Sequence, residues 1–463
     1  MKAKLTEKDE RSLHESLNGS MWKVVLSVGI PLALYQGLSI LSTILDTMMA
    51  AHISEESVSA VAYLSQINAI LSAVGGGLAV GAGVQISRAC GEGSFLLVRK
   101  RVSSLHALCL GAGLLIPALI LPFARDFLRL AGTPEKLIDV GAQYFVVEMF
   151  DMVVKFLNNV YIAVERARGD SRRIMLLNFM VIGVKLSLTA LFVYGIRGGL
   201  TMIAVASLIS QLSLLAFGIR HSLRADEAFS FSREAVAMDR RTVMPMITQS
   251  VPVIAEKALF AFGKTVVNAM CVIYGDTMAG ALGVSNNLGG ITTNPQNGYQ
   301  EGAAAIISQN YGAGKYRRVL EAFFATAVVN VILGAVISSL ELWRLNQLAG
   351  LFDSGSESFR QMIMSVYRYE ALGAVPLGIN AAVLALLYGL GETRLTLALN
   401  FARVFVFRIP VFWFLQNHTG LGQASVGAVM LISNVSSGAA AAIVAAAVIA
   451  RFIAVHKITA NTT

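Results

Sequence analysis

The stretch "GAGVQISRACGEG", residues 81–93, occurs a second time in altered form as "GAAAIISQNYGAG", residues 302–314. A second pair of similar stretches consists of "GDSRRIMLLNF" (169–179) and "GETRLTLALNF" (391–401). The offset along the chain is the same for the two pairs to within one position. Blocks that recur at nearly one offset along a hydrophobic chain indicate an internal structural repeat. The chain is therefore predicted to contain two copies of one structural plan.

The composition places this repeat in a membrane. The chain has 463 residues, of which 55% are hydrophobic and only 14% are charged. A soluble domain usually carries about 25% charged residues. Apolar stretches long enough to cross a bilayer, about 20 residues each, recur along the whole chain. The fold class is thus predicted to be an all-α polytopic membrane protein with twelve transmembrane helices in two pseudo-symmetric six-helix lobes. The predicted helices cover residues 23–50, 58–86, 102–124, 138–164, 174–196, 199–219, 244–274, 278–308, 319–342, 362–389, 395–416 and 423–450.

The basic residues give the predicted orientation. Lys and Arg concentrate in the second, fourth, sixth and eighth loops, so the positive-inside rule places both termini in the cytoplasm. The net charge of +9 is therefore a property of the loops and gives no reason to expect nucleic acid as a partner. The predicted division is a cytoplasmic N-terminal segment at 1–22, an N-lobe at 23–219, a cytoplasmic inter-lobe loop at 220–243, a C-lobe at 244–450 and a cytoplasmic tail at 451–463.

Two halves with six helices each insert in the same orientation, as they do in transporters with parallel repeats. That arrangement leaves a cavity between two lobes and favours a carrier over a channel. No phosphate-binding loop of the GxxxxGK[ST] kind is found, so ATP is not expected to drive transport directly. Neither an enzymatic activity, a resident metal nor a cofactor is predicted.

Several motifs then point to a family. The sequence resembles the multidrug and toxic compound extrusion (MATE) family of secondary transporters. The resemblance implies two six-helix bundles arranged in a V, and export driven by entry of protons or sodium ions. The wider superfamily contains flippases for lipid-linked oligosaccharides, so a flippase for a lipid-linked substrate is the alternative. The motifs that carry the resemblance are "DTMMAAHISEESVSAVA" (46–62), "GAGVQISRACGEG" (81–93), "ARGDSRR" (167–173), "GALGVSNNL" (280–288), "ISQNYGAGKYRR" (307–318) and "GLGETR" (389–394).

Asp46 is the principal candidate for ion coupling. Gln36, Ser39, Thr43 and Asp46 lie on one face of the first helix, and Tyr35 borders that face. Such a polar face must meet protein or water, because lipid cannot satisfy it. A carboxylate inside the membrane is costly when charged, so it can take up a proton from one side and release it on the other. The resemblance implies the same role for Asp46. The alternative is a structural aspartate that only accepts hydrogen bonds.

Helix four carries a second group of charges. Glu148, Asp151 and Lys155 are spaced i, i+3, i+7 and share a face, and Lys155 suits an ion pair with Asp151 one turn away. Lys185 in helix five is another cation within the membrane. These residues are predicted to form a charge network in the N-lobe. A proton relay and simple mutual neutralisation both remain open.

The substrate cavity is predicted from helices one, seven and eight. Helix eight contains "NNLGGITTNPQNGYQEG" (286–302), whose proline removes a backbone hydrogen bond and whose polar residues suit a cavity wall. Hydrogen bonding between helices alone is the alternative. The candidate cavity residues are Tyr35, Gln36, Ser39, Thr43, Glu256, Lys264, Asn287, Gln300 and Glu301.

The predicted function is a cation-coupled secondary antiporter that exports small organic compounds by alternating access. Protons are favoured over sodium because Phe260 and Leu377 stand at the positions where the sodium-coupled branch has carboxylates. Because basic residues lie within the predicted helices, the substrate is as readily an anionic or zwitterionic compound as a cationic drug. The expected partners are a small organic substrate and the lipid bilayer, and the protein is expected to be a monomer in the cell inner (plasma) membrane.

Overall fold

The structure, a computed structural model, describes residues 3–53, 55–196, 198–223, 227–352 and 356–458. Within those ranges it leaves out the side chains at 41, 43, 44, 46–48, 50–52, 55, 56, 58, 59, 62 and 276. The described residues fold almost wholly into helices. The long helices are α1 (Met21–Ile53), α2 (Glu55–Gly91), α3 (Phe95–Ile120), α4 (Glu135–Arg168), α5 (Ser171–Ala190), α6 (Thr201–Ser222), α7 (Arg240–Cys271), α8 (Asp276–Gly312), α9 (Tyr316–Trp343), α10 (Glu357–Leu372 and Ala374–Leu390), α11 (Thr393–Phe401 and Ile409–His418) and α12 (Ala424–His456).

Three shorter helices accompany them. The N-terminal helix, Glu7–Asn18, precedes α1, and two short helices, Ala124–Leu130 and Leu345–Gly350, follow α3 and α9. The long helices extend past most of the predicted boundaries, because a helix can continue beyond the apolar residues that mark a membrane span.

The number of membrane helices agrees with the predicted fold class. Among the described residues, nine helices are long and apolar enough to cross a membrane, or ten if the two pieces of α10 form one span. The two remaining long helices, α4 and α8, have 34 and 37 residues, which is also sufficient to cross. Helix α8 falls short in hydropathy and α4 carries too many charged residues, and they are the helices that contain the polar run 286–302 and the pair Glu148 and Asp151. The all-α polytopic membrane fold is confirmed.

Helix α10 bends by 48° between its two pieces, at Gly373. Pro376 lies three residues further on and has no N–H to donate to the carbonyl group of Leu372, so the helix loses a bond at the break. Helix α11 is also interrupted, by a wider π-helical turn at Ala402–Val406. Such turns are frequent at functional sites.

Contacts divide the chain into two compact units. The first unit comprises Met1–His14 and Leu41–Ala258, and the second comprises Glu15–Ile40 and Leu259–Thr463. The core of the first unit is built on residues such as Leu64 and Phe145, which are buried completely or nearly so. In the second unit, Tyr367 and Phe412 have the same role. The unit boundaries fall inside the N-terminal helix, α1 and α7, and the predicted lobes at 23–219 and 244–450 stay a prediction.

The repeat is visible in the backbone turns. Gly93 and Gly314 are the last residues of the first pair of repeated stretches, and they have φ of 72° and 70°. Gly169 and Gly391 are the first residues of the second pair; they have φ of 83° and 85° and end α4 and the second piece of α10. Only glycine adopts this left-handed conformation readily. The repeated motifs therefore encode the same helix-ending turns in both halves of the chain.

The repeat also appears in how helices cross. Within the first unit, a Cβ atom at Gly77 of α2 would meet the backbone of Ile254 of α7 at 2.7 Å. Within the second unit, a Cβ atom at Gly298 of α8 would meet the backbone of Leu32 of α1 at 2.6 Å.

The residues of these two contacts correspond under the repeat. Gly77 and Gly298 are separated by the offset of the first pair of repeated stretches, and Leu32 and Ile254 by the offset of the second pair. One turn further along, Gly81 approaches Ser250, while Gly302 approaches the side chain of Leu32. Small residues let helices approach closely in a membrane, so we name these contacts the two glycine crossings.

Candidate functional site

The first unit contains a network of charged groups on α4. Lys155 Nζ lies 2.5 Å from Asp151 Oδ2 and 3.9 Å from Glu148 Oε2. Asn68 of α2 donates a hydrogen bond of 2.5 Å to Glu148 Oε2. Asp151 is completely buried, whereas the Lys155 side chain keeps 35% of its exposure. The structure thus brings three of the four predicted network residues together.

The other predicted residues of the N-terminal half are placed as follows. Lys185 is partly buried on α5, where its carbonyl oxygen accepts a hydrogen bond of 2.8 Å from Thr189. Glu256 is buried on the part of α7 that belongs to the first unit. Asp46 and Thr43 lie on α1, but their side chains are outside the described residues. Their predicted roles therefore stay predictions.

The second unit joins α1 and α8 through polar side chains. Gln36 Nε2 donates to Glu301 Oε2 at 3.4 Å, and the Ser39 hydroxyl donates to the carbonyl oxygen of Gln36 at 2.8 Å. Gln300 is buried beside Glu301, and Asn287 and Tyr35 are partly buried. This contact contains predicted cavity residues from both helices. It also satisfies their hydrogen bonds within the protein, so a structural role explains part of it.

A second charged group, not predicted as a unit, lies in the C-terminal half. Lys264 of α7 and Arg403 and Arg408 of α11 all interact electrostatically with Glu370 of α10. Glu370 Oε2 accepts a hydrogen bond of 2.5 Å from Ser285 of α8. We call Lys264, Arg403 and Arg408, together with Glu370, the basic cluster. Both arginines lie where α11 is interrupted, between its two helical pieces.

Helix α12 holds the arginines in place. Arg408 Nε donates to the Ser433 hydroxyl at 3.0 Å, and Arg403 Nη2 and Arg408 Nη2 both donate to Asn434 Oδ1 at 3.1 Å. Of the oxygens that the structure describes, no carboxylate oxygen lies within 4.0 Å of the nitrogens of Lys264, Arg403 or Arg408. The two arginines are therefore positioned by neutral groups, and one carboxylate at a greater distance offsets only part of the charge of the three cations.

An aromatic ring lies beside the basic cluster. The Phe260 ring centroid is 5.3 Å from Arg403 Cζ and 6.0 Å from Lys264 Nζ. Arg403 Nε is buried and has no hydrogen-bond partner among the described residues. Lys264 is exposed, although it lies about two turns, or about 10 Å, from the end of α7. An ammonium group at that depth is far more stable in a water-filled space than in lipid.

Sequence reasoning missed the neutral partners of these charges, namely Asn68, Ser285, Ser433 and Asn434. It also missed Glu341, whose Oε2 accepts hydrogen bonds from Thr292 at 2.7 Å and from Tyr367. The only available signal was a single polar residue within an apolar helix, which does not identify a partner on another helix. Of the predicted cavity residues that lie in the second unit, Lys264 alone belongs to the basic cluster.

Glu148 and Glu370 occupy equivalent positions of the repeat, at the offset of the second pair of repeated stretches, but their surroundings carry opposite charge. The first network places two carboxylates around one lysine, and the basic cluster places three cations near one carboxylate. In the part of the chain that the structure describes, no group of His, Cys, Asp and Glu is arranged to hold a metal ion. The first arrangement suits a proton or another cation, and the second suits an anion.

Ionisable clusters inside a bundle of membrane helices that repeats itself are typical of a secondary transporter. The family model MatE matches residues 31–191 and 252–414, one segment in each half of the repeat. The chain belongs to the MATE family of multidrug exporters. It is therefore a transporter and not an enzyme, and it is a multi-pass membrane protein.

Relatives and solved structures agree with this. The chain is 22% identical over 418 residues to the probable multidrug resistance protein YoeA of Bacillus subtilis, covering 87% of this chain and 88% of that protein. It is 20% identical over 390 residues to the multidrug export protein MepA of Staphylococcus aureus, covering 84% and 85%.

The fold matches an outward-facing multidrug resistance MATE transporter of the MOP superfamily with a TM-score of 0.90 and 18% identity, covering 97% of this chain and 99% of that chain. It also matches a MOP superfamily transporter from Pyrococcus furiosus with a TM-score of 0.89 and 19% identity, covering 98% and 100%. That second transporter is described as having a binding pocket of reversed polarity that suggests a different function.

Proposed function

We propose that the protein is a proton-coupled antiporter that exports small organic compounds by alternating access. The observation that carries the coupling is the network of Glu148, Asp151 and Lys155 inside the membrane helix α4. Membership of an exporter family supports the direction of transport. We further propose that the protein acts as a monomer in the plasma membrane with both termini in the cytoplasm, as the loop charges favour.

The network has the elements that proton uptake requires. Asp151 is fully buried, Lys155 is its ion-pair partner, and no donor other than Lys155 reaches its oxygens among the described residues. A buried carboxylate is stable either beside a cation or with a proton bound. Protonation of Asp151 would therefore release Lys155, whose side chain is partly exposed, to move toward Glu148 or toward solvent.

Such a change couples two processes through one conformational equilibrium. A substrate and a proton that each favour a different conformation affect each other's binding by the same factor. The resemblance to the family assigns the coupling role to Asp46, which lies on α1 in the same half of the sequence. Both residues are therefore tested together.

The experiment is substrate-driven proton movement in proteoliposomes, with and without sodium, for the wild type and for Asp46→Asn, Asp151→Asn and Lys155→Gln. Proton-coupled transport without sodium, lost in Asp46→Asn or in Asp151→Asn, is the expected result. The matched control is Asp139→Asn, because Asp139 is an exposed residue near the start of α4 that pairs with Arg125 at 3.3 Å. Sodium-dependent transport that survives in both aspartate variants would refute the proposal.

A flippase for a lipid-linked substrate is the second candidate, because one observation favours it. The basic cluster places three cations inside the membrane, where a phosphate group of a lipid could bind. Movement of a fluorescent polyprenyl phosphate between leaflets of proteoliposomes, without movement of soluble compounds, would favour this candidate over export.

A further inference from the structure

The basic cluster has properties of a binding site rather than of a structural ion pair. A buried charge without an opposite charge costs several kcal/mol, so membrane helices rarely keep one without a function. Here the buried Arg408, the partly buried Arg403 and the exposed Lys264 share one carboxylate, Glu370, and no described carboxylate oxygen lies within ion-pair distance of any of them. An anion bound at this place would supply the missing charge.

The donors are also prepared for a ligand. Asn434 and Ser433 hold the arginine side chains through neutral oxygen atoms, which fix their geometry without neutralising their charge. Arg403 Nε is buried without a hydrogen-bond partner in the described structure, and Lys264 is exposed. Arginine presents several donors in one plane and binds carboxylate and phosphate groups with two parallel hydrogen bonds.

Phe260 adds a preference for the rest of the ligand. Its ring lies within 6.0 Å of Lys264 Nζ and 5.3 Å of Arg403 Cζ, so an apolar or aromatic group attached to the anion would meet an aromatic face. Glu370 has the opposite effect, because its negative charge competes with an anion for the same cations. Ser285 of α8 holds Glu370 through a hydrogen bond of 2.5 Å.

We propose that Lys264, Arg403 and Arg408 bind the carboxylate or phosphate group of an organic anion, and that the Phe260 ring contacts its apolar part. This inference rests on the proposed export function and names the substrate class. It assigns specificity to the second unit, while ion coupling is assigned to Asp46 and α4. Glu370 acts through these cations, because its negative charge lowers the affinity of the empty site for anions.

The test measures equilibrium binding of 2-naphthoate to the purified full-length protein in phosphatidylcholine nanodiscs by isothermal titration calorimetry. The neutral 2-naphthamide and the cationic 2-naphthyltrimethylammonium ion are compared with it. We expect 2-naphthoate to bind at least about ten-fold more tightly than either analogue, because only the carboxylate matches the charge of the site.

Two variants should change this affinity in opposite directions. Lys264→Gln should weaken 2-naphthoate binding at least about ten-fold, and Glu370→Gln should strengthen it, which a damaged protein would not do. Lys257→Gln is the matched control. Lys257 lies on the same helix, but its side chain lies against Gly76 in the first unit, with Cδ 3.7 Å from a Cβ placed there.

The outcomes separate the possible sources of the anion. If phosphatidylglycerol in the nanodisc displaces 2-naphthoate from the wild type and not from Lys264→Gln, the site binds a lipid head group. If it has no effect, the site binds a soluble anion. Equal binding of 2-naphthamide, or unchanged binding in Lys264→Gln and Glu370→Gln, would overturn the proposal. Because no ion gradient is applied, a failure of proton coupling leaves this result unaffected.

Discussion

Replacing Gly298 with alanine would place a methyl group 2.6 Å from the Ala33 nitrogen and from the Leu32 carbonyl carbon. Ordinary van der Waals contact begins at 3.4 Å, and the opposing atoms belong to the backbone of α1, so α8 must move by roughly 0.8 Å. Overpacking of this kind costs about 1–3 kcal/mol. Replacing a glycine with alanine inside a helix also stabilises the helix by about 1 kcal/mol. This gain must be subtracted before the cost of the close contact at Gly298 can be measured.

Gly283→Ala is the control that removes it. Gly283 lies on the same helix, and a Cβ atom there would meet no atom within 4 Å. Both variants therefore gain the same helix propensity. The difference between their free energies of unfolding measures only the close contact of Gly298 with α1. We expect the free energy of unfolding of Gly298→Ala to be about 1–3 kcal/mol lower than that of Gly283→Ala.

The measurement is thermal unfolding of both purified variants in the same detergent, followed by differential scanning fluorimetry. The expected difference is a Tm about 1–3 °C lower for Gly298→Ala. Gly77→Ala should show the same loss, because it opposes the backbone of Ile254 in the equivalent crossing of the first unit. Equal Tm values for Gly298→Ala and Gly283→Ala would refute the packing argument.

Three other variants test single interactions. Arg168→Gln breaks the buried ion pairs of Arg168 with Asp9 and Glu165, each 3.4 Å long. It should lower the free energy of unfolding by about 3–5 kcal/mol, which is measured as a fall in Tm relative to the wild type. Asn68→Ala removes the hydrogen bond to Glu148, so proton-coupled transport in proteoliposomes should fall several-fold, and an unchanged rate would exclude Asn68 from the network. Asp239 accepts hydrogen bonds from Thr242 that hold the pKa of its carboxyl group below the usual range. That contribution is present above the pKa of an unfolded aspartate and is lost as the pH falls through the lowered pKa. Asp239→Ala should therefore be less stable than the wild type at neutral pH and equal to it in strong acid, as judged by protease resistance across that range.

The parts of the fold that follow from local rules could be predicted from the sequence. Apolar length identified the spans, and the repeated blocks marked turns that need glycine, as Gly93 and Gly314 show through their positive φ. The pairing of Lys155 with Asp151 was also accessible, because residues four apart on one helix are neighbours.

The partners across helices could not be predicted in this way. Asn68 and Glu148 are far apart in the sequence, and Arg408 and Asn434 are on different helices, so no periodicity relates them. The assembly of Lys264, Arg403 and Arg408 near Glu370 depends on the break in α11. Pro410 lies directly after that break, but a proline alone does not show which side chains the break brings together. Each of these residues was visible as a charge in an apolar helix, but nothing in the sequence joined Lys264 to the two arginines.

The two glycine crossings have a consequence for the origin of the chain. Each joins a helix from one half of the sequence to a helix from the other, and the contacting residues are equivalent under the repeat. In an ancestor with six helices per chain, both crossings would have been a single contact, made twice across the axis of a homodimer. Duplication and fusion of such a chain would free the two copies to diverge. Glu148 and Glu370 fit such a history, since they are equivalent under the repeat but now have an acidic neighbour in one half and basic neighbours in the other.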